Sequence, residues 1–155
     1  MAPAPILAPG APLFGADAPR RAEVLVVDDE PYIVLVISSL LERQGHRVVA
    51  AENAQQAFSL LQELGELGTG LPKVILSDVN MPGTSGLEFA EWLFADPRLA
   101  GIPILFLTGQ ADDVIENATP NVKGMLRKPF SPRHLAEELE RLLNASPAVS
   151  SGEAA

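Results

Sequence analysis

The chain has 155 residues, nearly half of them apolar, which suits one domain with a hydrophobic core. Its net charge of −9, from 11 basic and 20 acidic side chains, argues against non-specific binding to nucleic acid or to an anionic membrane, because both need clustered Lys and Arg. The absence of cysteine removes disulfides, thiolate metal sites and thiol nucleophiles, and two histidines, His46 and His134, leave little for a His-rich metal centre.

Residues 1–21, "MAPAPILAPGAPLFGADAPRR", are rich in Ala, Pro and Gly without periodicity and are expected to form a flexible arm. No basic residue precedes their apolar part, and no apolar run in the chain approaches the roughly 20 residues needed to cross a bilayer, so neither export nor membrane insertion is expected. The cytoplasm is the expected location. One folded block, residues 22–144, follows, and residues 145–155 repeat the arm's composition as an expected tail.

Within the block, short β-branched apolar runs at Val24–Val27, Val48–Ala51, Val74–Leu76, Ile104–Leu107 and, more weakly, Gly124–Leu126 read as strands buried on both faces. Helical patterns separate them. The first helix carries Ile33, Val36, Ile37, Leu40 and Leu41 at helical spacing, with Pro31 in its first turn and Gly45 at its end. Tyr32 and Leu35 fall off this apolar stripe. The second helix is capped by Asn53 and aligns Ala54, Ala57, Phe58, Leu61 and Leu64. The third follows Ser85 with Leu87, Ala90, Trp92, Leu93 and Phe94, the two aromatics being expected in the core. A further helix is expected in the acidic stretch "QADDVIENATPN" from Gln110, and a last one opens on Ser131-Pro132 and aligns Leu135, Leu139, Leu142 and Leu143. His46 and His134 are expected at the surface.

Strands alternating with helices predict an α/β fold with a parallel sheet, in which ligands bind outside the carboxyl ends of the strands. The first strand ends at Asp28 and Asp29, the third at Asp78 with Asn80 two residues on, the fourth at Thr108, and the fifth runs into Lys128 ahead of Pro129. Three carboxylates on one rim need compensation, since two unit charges about 4 Å apart repel by about 4 kcal/mol at an effective dielectric of about 20. Oxygen ligands without Cys or His favour a hard cation, and magnesium suits a few carboxylates better than calcium does. Such an ion, with a hydroxyl and an ammonium nearby, would let Asp78 attack phosphorus and form an acyl phosphate.

The "DDE" after the first strand, "DVNMPGTSG" after the third, Thr108 after the fourth and "KPF" after the fifth, in that order, closely resemble the receiver domain of bacterial two-component response regulators. The resemblance implies a flavodoxin-like (βα)5 three-layer sandwich, doubly wound, with strand order 2-1-3-4-5. It implies that Asp78 is the phosphoacceptor for a phosphohistidine on a sensor histidine kinase or a histidine phosphotransfer protein. Asp29, Asp78 and the backbone carbonyl of Asn80 would ligate Mg2+ directly, and Asp28 would hold it through water. Thr108 and Lys128 would contact the phosphoryl group, Pro129 would follow a cis bond that aims Lys128 inward, and Asn80 and Gln110 would tune dephosphorylation.

The sequence departs from the family where Met125 replaces the usual switch aromatic three residues before the lysine, and where Gly109 follows Thr108 in place of the common Ala. Tyr32 and Leu35 lie where relatives receive the histidine donor. The expected role is a signalling domain rather than an enzyme, acting through protein contacts without binding nucleic acid directly. Two alternatives stand beside it: a Mg2+-dependent phosphatase with an aspartyl intermediate, and a receiver-like binding module that works without phosphorylation.

Overall fold

A computed structural model of the chain describes residues 23–109 and 118–151, with side chains to residue 144. The strands are β1 (Glu23–Val27), β2 (Arg47–Ala51), β3 (Val74–Asp78), β4 (Ile104–Thr108) and β5 (Val122–Arg127). The helices are α1 (Pro31–Arg43), α2 (Ala54–Leu67), α3 (Gly86–Phe94) and α4 (Pro132–Ser151). All strand pairings are parallel, in the order β2-β1-β3-β4-β5, which is the expected 2-1-3-4-5 arrangement. The expected helix from Gln110 falls mostly on residues 110–117, outside the described residues. Helix α4 continues to Ser151, so residues 145–151 of the expected tail are helical, while the expected arm, residues 1–21, lies outside the described residues.

Alternation along the strands splits the interior into two layers. Leu25 and Val27 of β1, Ile75 of β3 and Phe106 of β4 pack with Ala57 and Leu61 of α2 and with Phe89 and Leu93 of α3. Val24, Val26, Leu76 and Leu107 face the other way, onto Ile37 and Leu41 of α1 and Leu135 and Leu139 of α4. The central strands are therefore apolar on both faces, as helices on both sides of a parallel sheet require.

The helix starts follow their local chemistry. Asn53 accepts the Gln56 amide at 2.8 Å, and Ser131 Oγ accepts the His134 amide at 3.0 Å. Ser85 and Glu88 form a reciprocal capping box at the head of α3. Pro31 opens α1 without a side-chain cap, and Gly45 beyond its end takes φ of 94°.

Three expectations are corrected. Val36 is exposed, because the α1 face that meets the sheet centres on Ile37 and Leu41. Phe94, on the last residue of α3, is 44% exposed, whereas Trp92 packs against the core and tilts on Phe58 at 5.3 Å between ring centroids. His46 is buried, not superficial: the tight turn at Gln44–Gly45 sends its amide back to the Leu41 carbonyl at 3.1 Å and its ring inward. Burial lowers its pKa, partly opposed by Glu140 of α4, and its Nδ1 has no hydrogen-bond partner.

The sheet's outer edges differ. On β5 the pairing register with β4 shifts between Ile104 and Leu105, leaving Lys123 as the extra residue of a bulge. Arg141 of α4 reaches across Gly124 and donates from Nη2 to the Lys123 carbonyl at 3.2 Å. Strand β2 pairs with β1 in uninterrupted register and carries the exposed Val49.

Candidate functional site at the strand ends

The parallel register puts the carboxyl ends of β1, β3, β4 and β5 on one rim, and backbone hydrogen bonds fix each tip to its neighbour. The Asp28 amide donates to the Ala51 carbonyl at 3.2 Å, the Val79 amide to Leu107 at 3.3 Å, and the Lys128 amide to Thr108 at 2.7 Å. Side chains that are up to 100 residues apart in sequence are thus delivered to the same place by the sheet alone.

Asp28, Asp29 and Asp78 each present a carboxylate oxygen, and these oxygens all lie within 4.8 Å of one another. Asp28 and Asp78 are buried and Asp29 is exposed, so the cluster has a dry floor and an open lip. Lys128 Nζ is 3.2 Å from Asp28 Oδ2 and 3.7 Å from Asp78 Oδ2, so one ammonium serves two carboxylates. The backbone contributes too: the Glu30 amide donates to Asp28 Oδ1 at 2.9 Å and the Asn80 amide to Asp78 Oδ1 at 3.3 Å.

These contacts do not fully offset the surroundings of Asp78. Its pKa is raised, chiefly because burial disfavours the charged carboxylate. Lys128 pulls it down, Asp28 pushes it up, the Asn80 amide lowers it and Asp29 adds a further rise. A cation of higher charge density than an ammonium would offset such a cluster more fully. Its donors are hard oxygens, in a chain without cysteine, and they fit a small dication such as magnesium.

The remaining candidates sit around this centre. Thr108 ends β4 fully buried. Asn80 is exposed on the loop leaving β3. The Lys128–Pro129 peptide bond is cis, as the resemblance implied. Met125 lies opposite Phe106 in the β4–β5 register and packs, half-buried, on the core layer shared with α2 and α3. Gln110 lies outside the described residues. Tyr32 and Leu35 are 74% and 63% exposed beside the exposed Val36, one turn into α1 from Asp28 and Asp29.

Two features of the loop between β3 and α3 were missed from sequence. Gln55 of α2 donates to Thr84 Oγ1 at 2.8 Å, which ties the loop to α2. Gly86 brings the head of α3 against the backbone of Asp78 and Val79. The first left no periodic signal. The second was legible only as a glycine directly after a capping serine, where a helix former is the better choice.

A family model described as the response regulator receiver domain matches residues 24–140. The chain is 38% identical over 122 residues to the phosphate regulon transcriptional regulatory protein PhoB of Pseudomonas aeruginosa, covering 77% of this chain and 51% of that protein. It is 34% identical over 136 residues to a chemotaxis protein CheY homolog of Campylobacter jejuni, covering 86% of this chain and 98% of the relative. The chain thus spans about half the length of the first of these relatives and nearly all of the second. Among solved structures, chemotaxis protein CheY4 of Vibrio cholerae superposes with a TM-score of 0.71 at 32% identity, covering 80% of this chain and all of that one. An acidic rim at the carboxyl edge of a 2-1-3-4-5 sheet and these matches lead to one conclusion: the chain belongs to the receiver domains of two-component response regulators, a family whose general function is to accept a phosphoryl group.

Proposed function

We propose that Asp78 is the acceptor and that the chain takes its phosphoryl group from a phosphohistidine on a histidine kinase or a phosphotransfer protein. The observation that carries this is the joint placement of Asp28, Asp29 and Asp78 oxygens within 4.8 Å with Lys128 reaching two of them. A carboxylate oxygen of Asp78 attacks phosphorus in line. The P–N bond of the donor breaks, its electron pair stays on the imidazole nitrogen, and an acyl phosphate forms on Asp78.

Lys128 is already hydrogen-bonded at the rim and transfers its ammonium from the carboxylates to a phosphoryl oxygen. The Thr108 hydroxyl, at the end of the neighbouring strand, serves a second oxygen. Asp29, Asp78 and the Asn80 carbonyl would hold Mg2+, with Asp28 behind them, and the ion would draw charge from the phosphoryl oxygens. Hydrolysis reverses the charge flow: water attacks phosphorus, the P–O bond breaks and its electrons return to the Asp78 carboxylate. Asn80, on the lip, and Gln110 govern how easily that water approaches.

The exposed Tyr32, Leu35 and Val36 on α1 form the docking surface for the histidine donor. Output runs through protein contacts on the side of α4 and β5. There Thr108, Lys128 and Pro129 act as the switch, and Met125 replaces an aromatic ring with a flexible thioether already packed inside.

Incubation with acetyl phosphate and Mg2+, read by intact mass, tests the assignment. Wild type gains one phosphoryl group and Asp78→Ala gains none. A gain that persists in Asp78→Ala refutes the site, and multiple turnover of an external phosphoester by wild type supports the phosphatase instead.

A further inference from the structure

Gly86 is the first residue of α3 and is buried. Among the described glycines positive φ occurs at Gly45, Gly68, Gly70 and Gly83, not at Gly86, so its backbone is one that any residue can adopt. What excludes a side chain is space. A Cβ at this position would lie 2.5 Å from the Asp78 carbonyl oxygen, 2.9 Å from Val79 Cα and 3.2 Å from Phe106 Cε1. Two of these three atoms are backbone, which cannot swing aside as the end of a side chain can. The Gly86 amide also donates to the Val79 carbonyl at 2.7 Å, closing the loop that begins at Asn80.

Asp78 is therefore held from behind. Its amide side is fixed by the sheet, and its carbonyl side abuts the head of α3, which is itself anchored by the Ser85–Glu88 capping box. We infer that Gly86 is a positioning residue for the acceptor: its missing side chain lets α3 close on the backbone of Asp78 and Val79 and so sets how far the carboxylate projects towards Asp28, Asp29 and Lys128. This inference rests on Asp78 being the acceptor.

The test is Gly86→Ala beside Gly83→Ala in the same loop. At Gly83 a Cβ meets nothing within 4 Å, and only the positive φ of 83° is strained. Both variants lose stability. Gly86→Ala alone is expected to lower the rate of phosphorylation by acetyl phosphate, by about 10- to 100-fold, since a misplacement near 1 Å has an effect of that order. Its amide NMR signals for Val79 and Asn80 should move while those of β2 stay in place. Equal rates for Gly86→Ala and wild type, or unmoved Val79 and Asn80 signals, overturn the inference, as does an equal loss of rate in Gly83→Ala.

If Gly86→Ala does not fold, Gly86→Ala with Phe106→Leu removes the ring contact and keeps the clash with the Asp78 carbonyl. A folded double variant that remains slow supports positioning. Failure of this variant to fold makes the glycine a folding requirement only and overturns the role. A wild-type chain that takes no phosphoryl group sinks the acceptor assignment itself, and is told apart because the comparison among variants then has no starting rate.

Discussion

Asp78 and His46 are both buried ionisable groups, and they load the fold in opposite directions. Burial raises the Asp78 pKa, so the folded chain binds that proton more tightly than the unfolded chain does. The corresponding stability is fully present below the ordinary aspartate value of 3.8 and is lost as pH rises through the raised one. Above that raised value, without metal, ionised Asp78 is a liability. Asp78→Asn should then unfold several degrees higher in chelator-containing buffer at pH 7, with the advantage shrinking towards pH 4. Thermal melts across that range check it. His46 behaves oppositely, because burial lowers its pKa: its contribution is present above 6.5 and is lost as pH falls through the lowered value. His46→Leu, which has no proton to gain and no unpartnered Nδ1 to bury, should flatten the loss of stability as pH falls below 6.5. The acids at the rim were legible because each lies within two residues of the end of an apolar strand run. The burial of His46 was not, because it depends on how the turn after α1 sends one ring inward.

At the scale of elements, strand and helix types followed from local pattern, and the errors cluster where several apolar residues run together. In "PYIVLVI" nearly every position is apolar, so periodicity alone could not separate the face that packs from the face that does not. The sheet resolves it by taking Ile37 and Leu41 and leaving Tyr32, Leu35 and Val36 outside. An exposed apolar face without a packing role should tolerate charge. Leu35→Glu is expected to change stability by no more than about 0.5 kcal/mol. It should slow phosphoryl transfer from a histidine donor about 10-fold or more, the worth of one apolar anchor at an interface. Acetyl phosphate should label it at the wild-type rate. Stopped reactions with each donor separate the two effects, and an equal loss with both would remove α1 as the docking surface. Phe94 shows the reverse case: an aromatic that local pattern places in the core ends α3 44% exposed.

Across the whole molecule, chain order already implied which strand ends meet, because a doubly wound parallel sheet leaves one set of ends for a ligand. Distances could not be read that way. That Lys128 serves both Asp28 and Asp78 depends on the β4–β5 register and the bond from the Lys128 amide to Thr108, neither of which the sequence displays.

The two unlike borders of that sheet have a consequence for how the chain meets copies of itself when stressed. The bulge at Lys123 and the guanidinium of Arg141 spoil β5 as a template, since an incoming strand would find an uneven ladder with one oxygen already taken. Strand β2 offers five regular residues and an uncovered valine. Self-association on heating should therefore nucleate at β2. Val49→Lys is expected to suppress turbidity during a thermal ramp while leaving phosphorylation by acetyl phosphate intact, whereas Arg141→Ala should open a second route to precipitation from the opposite side.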